Sequence, residues 1–400
     1  MTPAFSVYLD LVRATAAILV LLYHASNNEF GGTWLQRAFG HTGTPGVIIF
    51  FVLSGFVISW TAATKEKDFK VFIVNRLARL WSVAIPALAV TYLADKIGFA
   101  LYPQIYSAID DWTALLAHPF SHLAMSGVFL NQIWFLDIRP LSNNPFWSLC
   151  YEWWYYAAFG CFMLIRGRAG LLLSLAALAV MGPKIWLLFP IWLMGVAVHR
   201  QLQVRRLLPV VAAVPLFLAP LGVVGVFALY QVLHLRELVE GAIDPHYLAF
   251  SIIFIPATLF GVLMALNLYA FPSLERYFAP ALNKIEKPVR WVAGATLSIY
   301  LYHYPLLYLF GALFRVEPTS PFWTNFAIVV CTLACCFALS AFTESKKRRV
   351  RGWLEALWLM IVRLRQGQAA TGAPVPRSIP GSSIISDRVA VAAMPAIEKS

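Results

Sequence analysis

Three ionisable side chains interrupt otherwise apolar stretches of this 400-residue chain: His24 in LDLVRATAAILVLLYHAS (9–26), Glu152 in FWSLCYEWWYY (146–156) and His303 in LSIYLYHYPL (297–306). A charge inside a bilayer is expensive, so a residue of this kind is a functional candidate by default. An imidazole takes up a proton near neutral pH, and a carboxylate or second imidazole within hydrogen-bond reach orients it as a general base. Such a base suits a hydroxyl, which is a weak nucleophile until its proton is removed. Counted from the nearest cytoplasmic charges at 1.5 Å per residue, His24, His303 and Glu152 lie about 16, 20 and 21 Å deep, close enough in level to meet. Each also has a plainer reading as polar glue between helices, and for His303 the neighbouring Pro305 frees a backbone carbonyl that a donor can satisfy.

A second set sits at the rim. Asp10 and Arg13 open the first apolar segment, and Arg76 and Arg79 lie in FIVNRLARLW (72–81) just before the third. Arginine suits phosphate because its planar fork donates paired hydrogen bonds, although snorkelling arginines at a membrane surface give the same pattern. Arg13 and His24 are eleven residues apart, which on a helix is about 16 Å of rise and within about 20° of three whole turns. They share a face at two depths. A ligand meeting both carries phosphates at the inner surface and a reactive group deeper, the shape of a coenzyme A thioester. Trp147, Ser148 and Tyr155 around Glu152, with Tyr302 beside His303, are candidates to line an acceptor site, since aromatic faces stack on sugars; interfacial aromatic belts are the commoner cause of such residues. Ser54–Gly55 in GVIIFFVLSGFVIS (46–59) reads as close helix packing. No metal-binding motif or nucleophile elbow occurs.

The elements that must position these groups are membrane helices. Residues are 60% hydrophobic and only 12% charged, and mean hydropathy is +0.71, far from a soluble composition. Apolar runs at about 7–26, 46–62, 80–98, 145–166, 169–182, 185–199, 207–231, 247–269, 292–313 and 321–343 approach the length a bilayer demands. The expected architecture is an all-α membrane protein, a bundle of about ten transmembrane helices. Lys and Arg concentrate in alternate loops, from Lys65–Arg79 to KKRRVR at 346–351, with Arg37, Arg139, Lys184, Arg236 and Arg315 on the other side. That asymmetry places both termini in the cytoplasm and explains the net charge of +12 without nucleic acid. The first segment is expected to remain as a span, since it lacks the pattern of a removable signal peptide. The five cysteines read as apolar packing residues. Residues 99–144 are expected to lie in the interface or re-enter the membrane, outside the span count. The chain divides into a transmembrane domain (1–345), a basic amphipathic juxtamembrane segment (346–365) and a disordered cytoplasmic tail (366–400) rich in Ala, Pro, Gly and Ser.

Taken in order, LDLVRATAAILVLLYHAS, GVIIFFVLSGF, NRLARL, PFWSLCYEWWYY and LSIYLYHYPL resemble the motifs of the integral-membrane acyltransferase family 3, which includes O-acetyltransferases of bacterial surface polysaccharides. The resemblance covers about 1–345. It implies a multi-pass enzyme of the bacterial inner membrane that moves an acyl group, acetyl as the first expectation, from cytoplasmic acyl-CoA to a hydroxyl of a glycan or lipid-linked saccharide. No tightly bound cofactor is implied; acyl-CoA is a co-substrate, and glycan-assembly proteins are expected partners. By motif, His24 corresponds to the essential base, with Glu152 or His303 assisting it, and Arg13, Arg76 and Arg79 to the arginines that face the CoA phosphates, with Asp10 beside them. The chain departs from the family where the proline that often follows the Arg-x-x-Arg pair comes only at Pro86. It also carries a short tail where some relatives have an extracytoplasmic hydrolase-like domain. Two rivals share the residues. A secondary transporter or polysaccharide exporter would use His and Glu as a proton relay but calls for inverted repeats, of which the sequence gives no sign. An acyltransferase for a small metabolite would share the chemistry and differ in acceptor.

Overall fold

The computed structural model describes residues 1–371 except 28, 31–32, 205–206 and 318, and the side chains of those residues up to 360 apart from that at 33. Among the described residues there is helix and irregular chain but no strand. By contact the chain forms two units, Met1–Glu355 and Ala356–Ser400, and the helical bundle belongs to the first.

Helix α1, Pro3–Ala25, starts where Thr2 Oγ1 accepts the Phe5 N–H (3.2 Å) and Pro3 supplies a preset φ, a strong N-terminal signal. It runs without an internal proline, so the rise between Arg13 and His24 is unbroken. A short α2 (Thr33–Phe39) leads to α3 (Gly43–Thr64). Asp68 caps α4 (Phe69–Leu101) by accepting the Val71 N–H. At 33 residues, α4 is about 50 Å long against a hydrocarbon core of about 30 Å, so its first turns, carrying Arg76 and Arg79, extend past the span expected at 80–98. Two short helices, α5 (Trp112–Ala117) and α6 (Pro119–Gly127), and irregular chain occupy the long connection.

Then come α7 (Trp147–Leu164), α8 (Gly167–Met181), α9 (Pro183–Val204), α10 (Val210–Leu218) and α11 (Val223–Val232). Pro220, in a tight turn between α10 and α11, breaks what hydropathy reads as one span. After α12 (Leu235–Ala242) and α13 (Pro245–Leu248), the 41-residue α14 (Phe254–Gly294) continues helically through the inner segment expected as a loop, so Arg276, Lys284, Lys287 and Arg290 stand on a helix. α15 (Thr296–Leu313), α16 (Phe322–Thr343) and α17 (Lys347–Thr371) complete the order.

Seven helical segments among the described residues are long and apolar enough to cross a membrane. With α7, α8 and α15, of 18, 15 and 18 residues, they account for all ten expected spans. Leu171, Leu172, Leu173 and Leu175 of α8 are exposed, as a lipid-facing surface requires. The bundle centre packs α1, α3, α4, α9, α14 and α15 around one buried core. Gly55 and Gly195 let α3 and α9 touch: a Cβ on Gly55 would fall on the Trp192 carbonyl oxygen, and one on Gly195 on that of Val52, the small-residue contact expected of Ser54–Gly55.

One expectation changes. Lys184 is not a loop-surface charge; it is fully buried and donates to Gln132 Oε1 (2.9 Å) and the Leu136 carbonyl (2.5 Å), because the connection 128–143 folds over the end of α9. The amphipathic segment expected at 346–365 is helical from Lys347 onward, while most of the tail expected to be disordered lies outside the described residues.

Candidate active site

At one end of the bundle Arg13 Nη2 donates to Asp10 Oδ1 (2.8 Å) and to the Ala293 carbonyl (3.1 Å), and Asp10 Oδ2 accepts from Arg290 Nη1 (3.1 Å). The free ends of α1 and α14 are thereby tied together, with Asp10 acting on Arg13 as its counter-charge. Across from them, the Arg-x-x-Arg pair divides. Arg76 is 5% exposed and gives both its bonds to Glu66, at 2.7 and 2.6 Å. Arg79 faces the space beside Arg13, and no hydrogen bond or ion pair among the described residues takes its guanidinium. The structure brings Arg13 and Arg79 together and leaves Arg76 out.

A cleft opens from these arginines. Past Asp10, Arg13 and Arg79 its walls are apolar, with Val47, Phe50, Phe51 and Leu53 of α3, and it reaches Ser148, Glu152, Tyr156 and Tyr300. Its charged lining, two arginines and two carboxylates, sums to zero. Glu152 accepts from Ser54 Oγ (2.8 Å) and from the Tyr156 hydroxyl, and Trp192 Nε1 donates to Ser54 Oγ (3.1 Å). The carboxylate is held by hydroxyls within the cleft and is not a partner of His24.

A second cavity adjoins the first through Val47, Phe51 and Tyr300, which line both. His24 stands in it with Tyr23, Gly43, Thr44, Asn144 and Trp147. His303, fully buried, reaches His24 across the α1–α15 contact, with 2.9 Å between His303 Nε2 and His24 Nδ1. The direction of this bond follows from the next one. His303 Nδ1 lies 2.9 Å from the Ile299 carbonyl, which can only accept, so Nδ1 carries the proton. With both rings neutral, His303 Nε2 is then bare and accepts the proton on His24 Nδ1, leaving Nε2 of His24 with its lone pair free. Chemically this is a base whose tautomer and ring plane are set by a second imidazole.

The expected acceptor residues separate. Trp147 lines the His24 cavity and stacks on Phe250 (4.6 Å between centroids). Ser148 lines the arginine cleft and bonds to the Tyr300 hydroxyl (2.7 Å). Tyr155 and Tyr302 are fully buried, with hydroxyls donated to the carbonyls of Ile185 (2.9 Å) and Val83 (3.4 Å), and neither lines the cleft or the His24 cavity. The sequence does not single out Tyr300 or Tyr156, and it marks Ser54 only as a packing residue, whereas Ser54 also lines the cleft and donates to Glu152. Tyr300 was findable: three residues before His303 it shares a helix face with it, whereas Tyr302, one residue away, is turned by about 100°.

The family model of an acyltransferase domain, that of the acyltransferase 3 family, matches residues 6–341. No curated protein and no solved structure matches the chain. The family match takes in both cavities and every element that lines them, and the helices are those of a multi-pass membrane protein: the chain belongs to the acyltransferase 3 family and is a membrane acyltransferase.

Proposed function

We propose that the protein takes an acyl group, acetyl in the first instance, from cytoplasmic acyl-CoA and transfers it to a hydroxyl of a glycan or lipid-linked saccharide, in the inner membrane of a bacterium, with His24 as general base. One observation carries this reading: a charge-neutral, apolar-walled cleft that begins at Arg13 and Arg79 adjoins the cavity that holds His24, with Val47, Phe51 and Tyr300 lining both. Coenzyme A has the matching polarity, with phosphates at one end, an uncharged pantetheine arm and a thioester at the other. The continuous α1 spaces the two ends by about 16 Å.

In the reaction the acceptor hydroxyl donates its proton to His24 Nε2 as its oxygen attacks the thioester carbonyl carbon. The tetrahedral intermediate collapses with cleavage of the C–S bond, and the departing thiolate takes the proton back from His24, so the base is restored. His303 keeps Nδ1 of His24 engaged throughout, so the free lone pair stays on the reacting side. Asn144 and Trp147, on chain from the connection opposite the arginine rim, suit an acceptor entering from the outer side. Arg76, committed to Glu66, supports the α4 end in this reading and does not hold the ligand.

The decisive experiment uses a deletion strain complemented with wild type or His24→Ala. Released glycans are compared by mass spectrometry, and thiol release from acetyl-CoA is followed in membrane vesicles. His24→Ala is expected to insert normally and to lose the acyl mass difference together with thiol release. Transfer at the wild-type rate would overturn the mechanism.

A further inference from the structure

A third cavity lies beside the arginine cleft, lined by Arg13, Arg79, Ser82, Thr296, Glu344 and Lys347, with backbone of Ala293 and Gly294. Arg13, Arg79 and Thr296 line both spaces, so they meet at the arginines. Their charges differ. The cleft toward Glu152 is neutral, whereas this cavity carries three cations and one carboxylate, a net of two positive charges. Two of those cations have no bonded counter-charge: no hydrogen bond or ion pair among the described residues takes the Arg79 guanidinium or the Lys347 ammonium. The carboxylate is already supplied with donors, since Glu344 accepts from Ser298 Oγ (3.0 Å) and the Ser298 N–H (3.4 Å). Arg13 is shared with Asp10 and the Ala293 carbonyl.

Unneutralised like charges held near one another repel, and they are stabilised by a multivalent anion between them. A phosphomonoester suits this one. It carries about −1.5 to −2 charges at pH 7 and three acceptor oxygens, matching two cations in number and in donors. A pyrophosphate bridge is the natural occupant of the junction where Arg13 and Arg79 face both cavities. A phosphate on the far side of Arg79 is within the province of Lys347.

We infer that Arg79 and Lys347 form a receptor for a phosphomonoester dianion, and that its occupant is the ribose 3′-phosphate of coenzyme A, so that Lys347 makes the protein discriminate CoA from 3′-dephospho-CoA. The inference rests on the acyl-CoA reading above. Lys347 lies just past the end of the family match, in a KKRR run that the sequence explains by topology alone. Its placement beside Arg79 comes from the way α16 ends against the start of α15.

The test is binding of CoA and of 3′-dephospho-CoA to the purified full-length protein in lipid nanodiscs, by calorimetry. Wild type is expected to bind CoA about tenfold more tightly than the dephospho form, the size of one charge-assisted contact to a phosphate. Lys347→Met is expected to bind CoA at the weaker level and to leave the affinity for 3′-dephospho-CoA as in wild type, which also certifies its fold. Lys347→Arg should restore most of the preference. If CoA binds and Lys347→Met keeps the wild-type ratio, the receptor assignment is overturned and the acyl-CoA reading stands. If neither nucleotide binds wild type, the acyl-CoA reading itself fails.

Discussion

Arg76 and Arg79 are three residues apart on one helix and have opposite surroundings, which decides what their substitution should do. Arg76 is buried against Glu66, so Glu66→Ala strands a guanidinium in the interior. Removing one partner of a buried ion pair costs about 3–5 kcal/mol, and a lowered Tm in detergent is the expected result. Arg79 has no such partner and faces the cleft; Arg79→Met should leave Tm near wild type and weaken CoA binding. Scanning fluorimetry and calorimetry on the two variants check both halves, and a Tm loss confined to Arg79→Met would reverse the assignment. At the same scale, His24 owes its free Nε2 to a chain of two bonds that ends on the Ile299 carbonyl. Glu152, the other candidate assistant, spends its acceptors on Ser54 and Tyr156.

At the scale of elements, the cleft is made by helices that approach closely on one side and stand apart on another. Gly55 and Gly195 bring α3 and α9 into backbone contact. Beside that contact, Val47, Phe50 and Ser54 of α3 line the cleft. Gly195→Ala puts a methyl group onto the Val52 carbonyl oxygen, and overpacking of this kind costs about 1–3 kcal/mol. The expected outcome is a lower thermal midpoint with the variant still inserted in the membrane; an unchanged midpoint would show that the interface relaxes freely. Helix length matters as well. α4 and α14 outrun the bilayer, and it is their overhanging turns that carry Arg79 and Arg290 to the start of α1.

For the whole molecule, the wall of the His24 cavity depends on residues far apart in the chain. Asp95 Oδ2 accepts the Ser142 N–H (3.0 Å), and Asn143 Nδ2 donates to Thr91 Oγ1 (3.0 Å) and the Leu301 carbonyl (2.9 Å). These bonds pin 142–143 to α4 and α15 and thereby place Asn144 and Pro145 in the cavity lining. The beginning of α1 and the end of α16 lie at the same end of the bundle, through Arg13, Ala293 and the cavity shared with Glu344. Together with the distribution of Lys and Arg, this predicts that a cysteine placed at Lys346 is labelled by an impermeant maleimide in inside-out vesicles and not in intact spheroplasts. Labelling from outside would invert the topology and with it the side from which the donor enters.

Much of this was legible in the linear chain. Composition and the lengths of the apolar runs determine that the protein lives in a membrane as a helical bundle, because a backbone in hydrocarbon must satisfy its own hydrogen bonds. The spacing within LDLVRATAAILVLLYHAS likewise sets Arg13 and His24 on one face at two depths, since helix geometry is local and α1 has no proline to bend it. Contacts between helices are another matter. Which of Glu152 and His303 meets His24, which arginine of Arg-x-x-Arg is spent on Glu66, and that Lys347 stands beside Arg79 all depend on the rotation of each helix about its axis and on which neighbour it packs against. Those rotations are set by side-chain packing among residues tens to hundreds of positions apart, with no periodic signature in any one segment. Tertiary structure alone decides them.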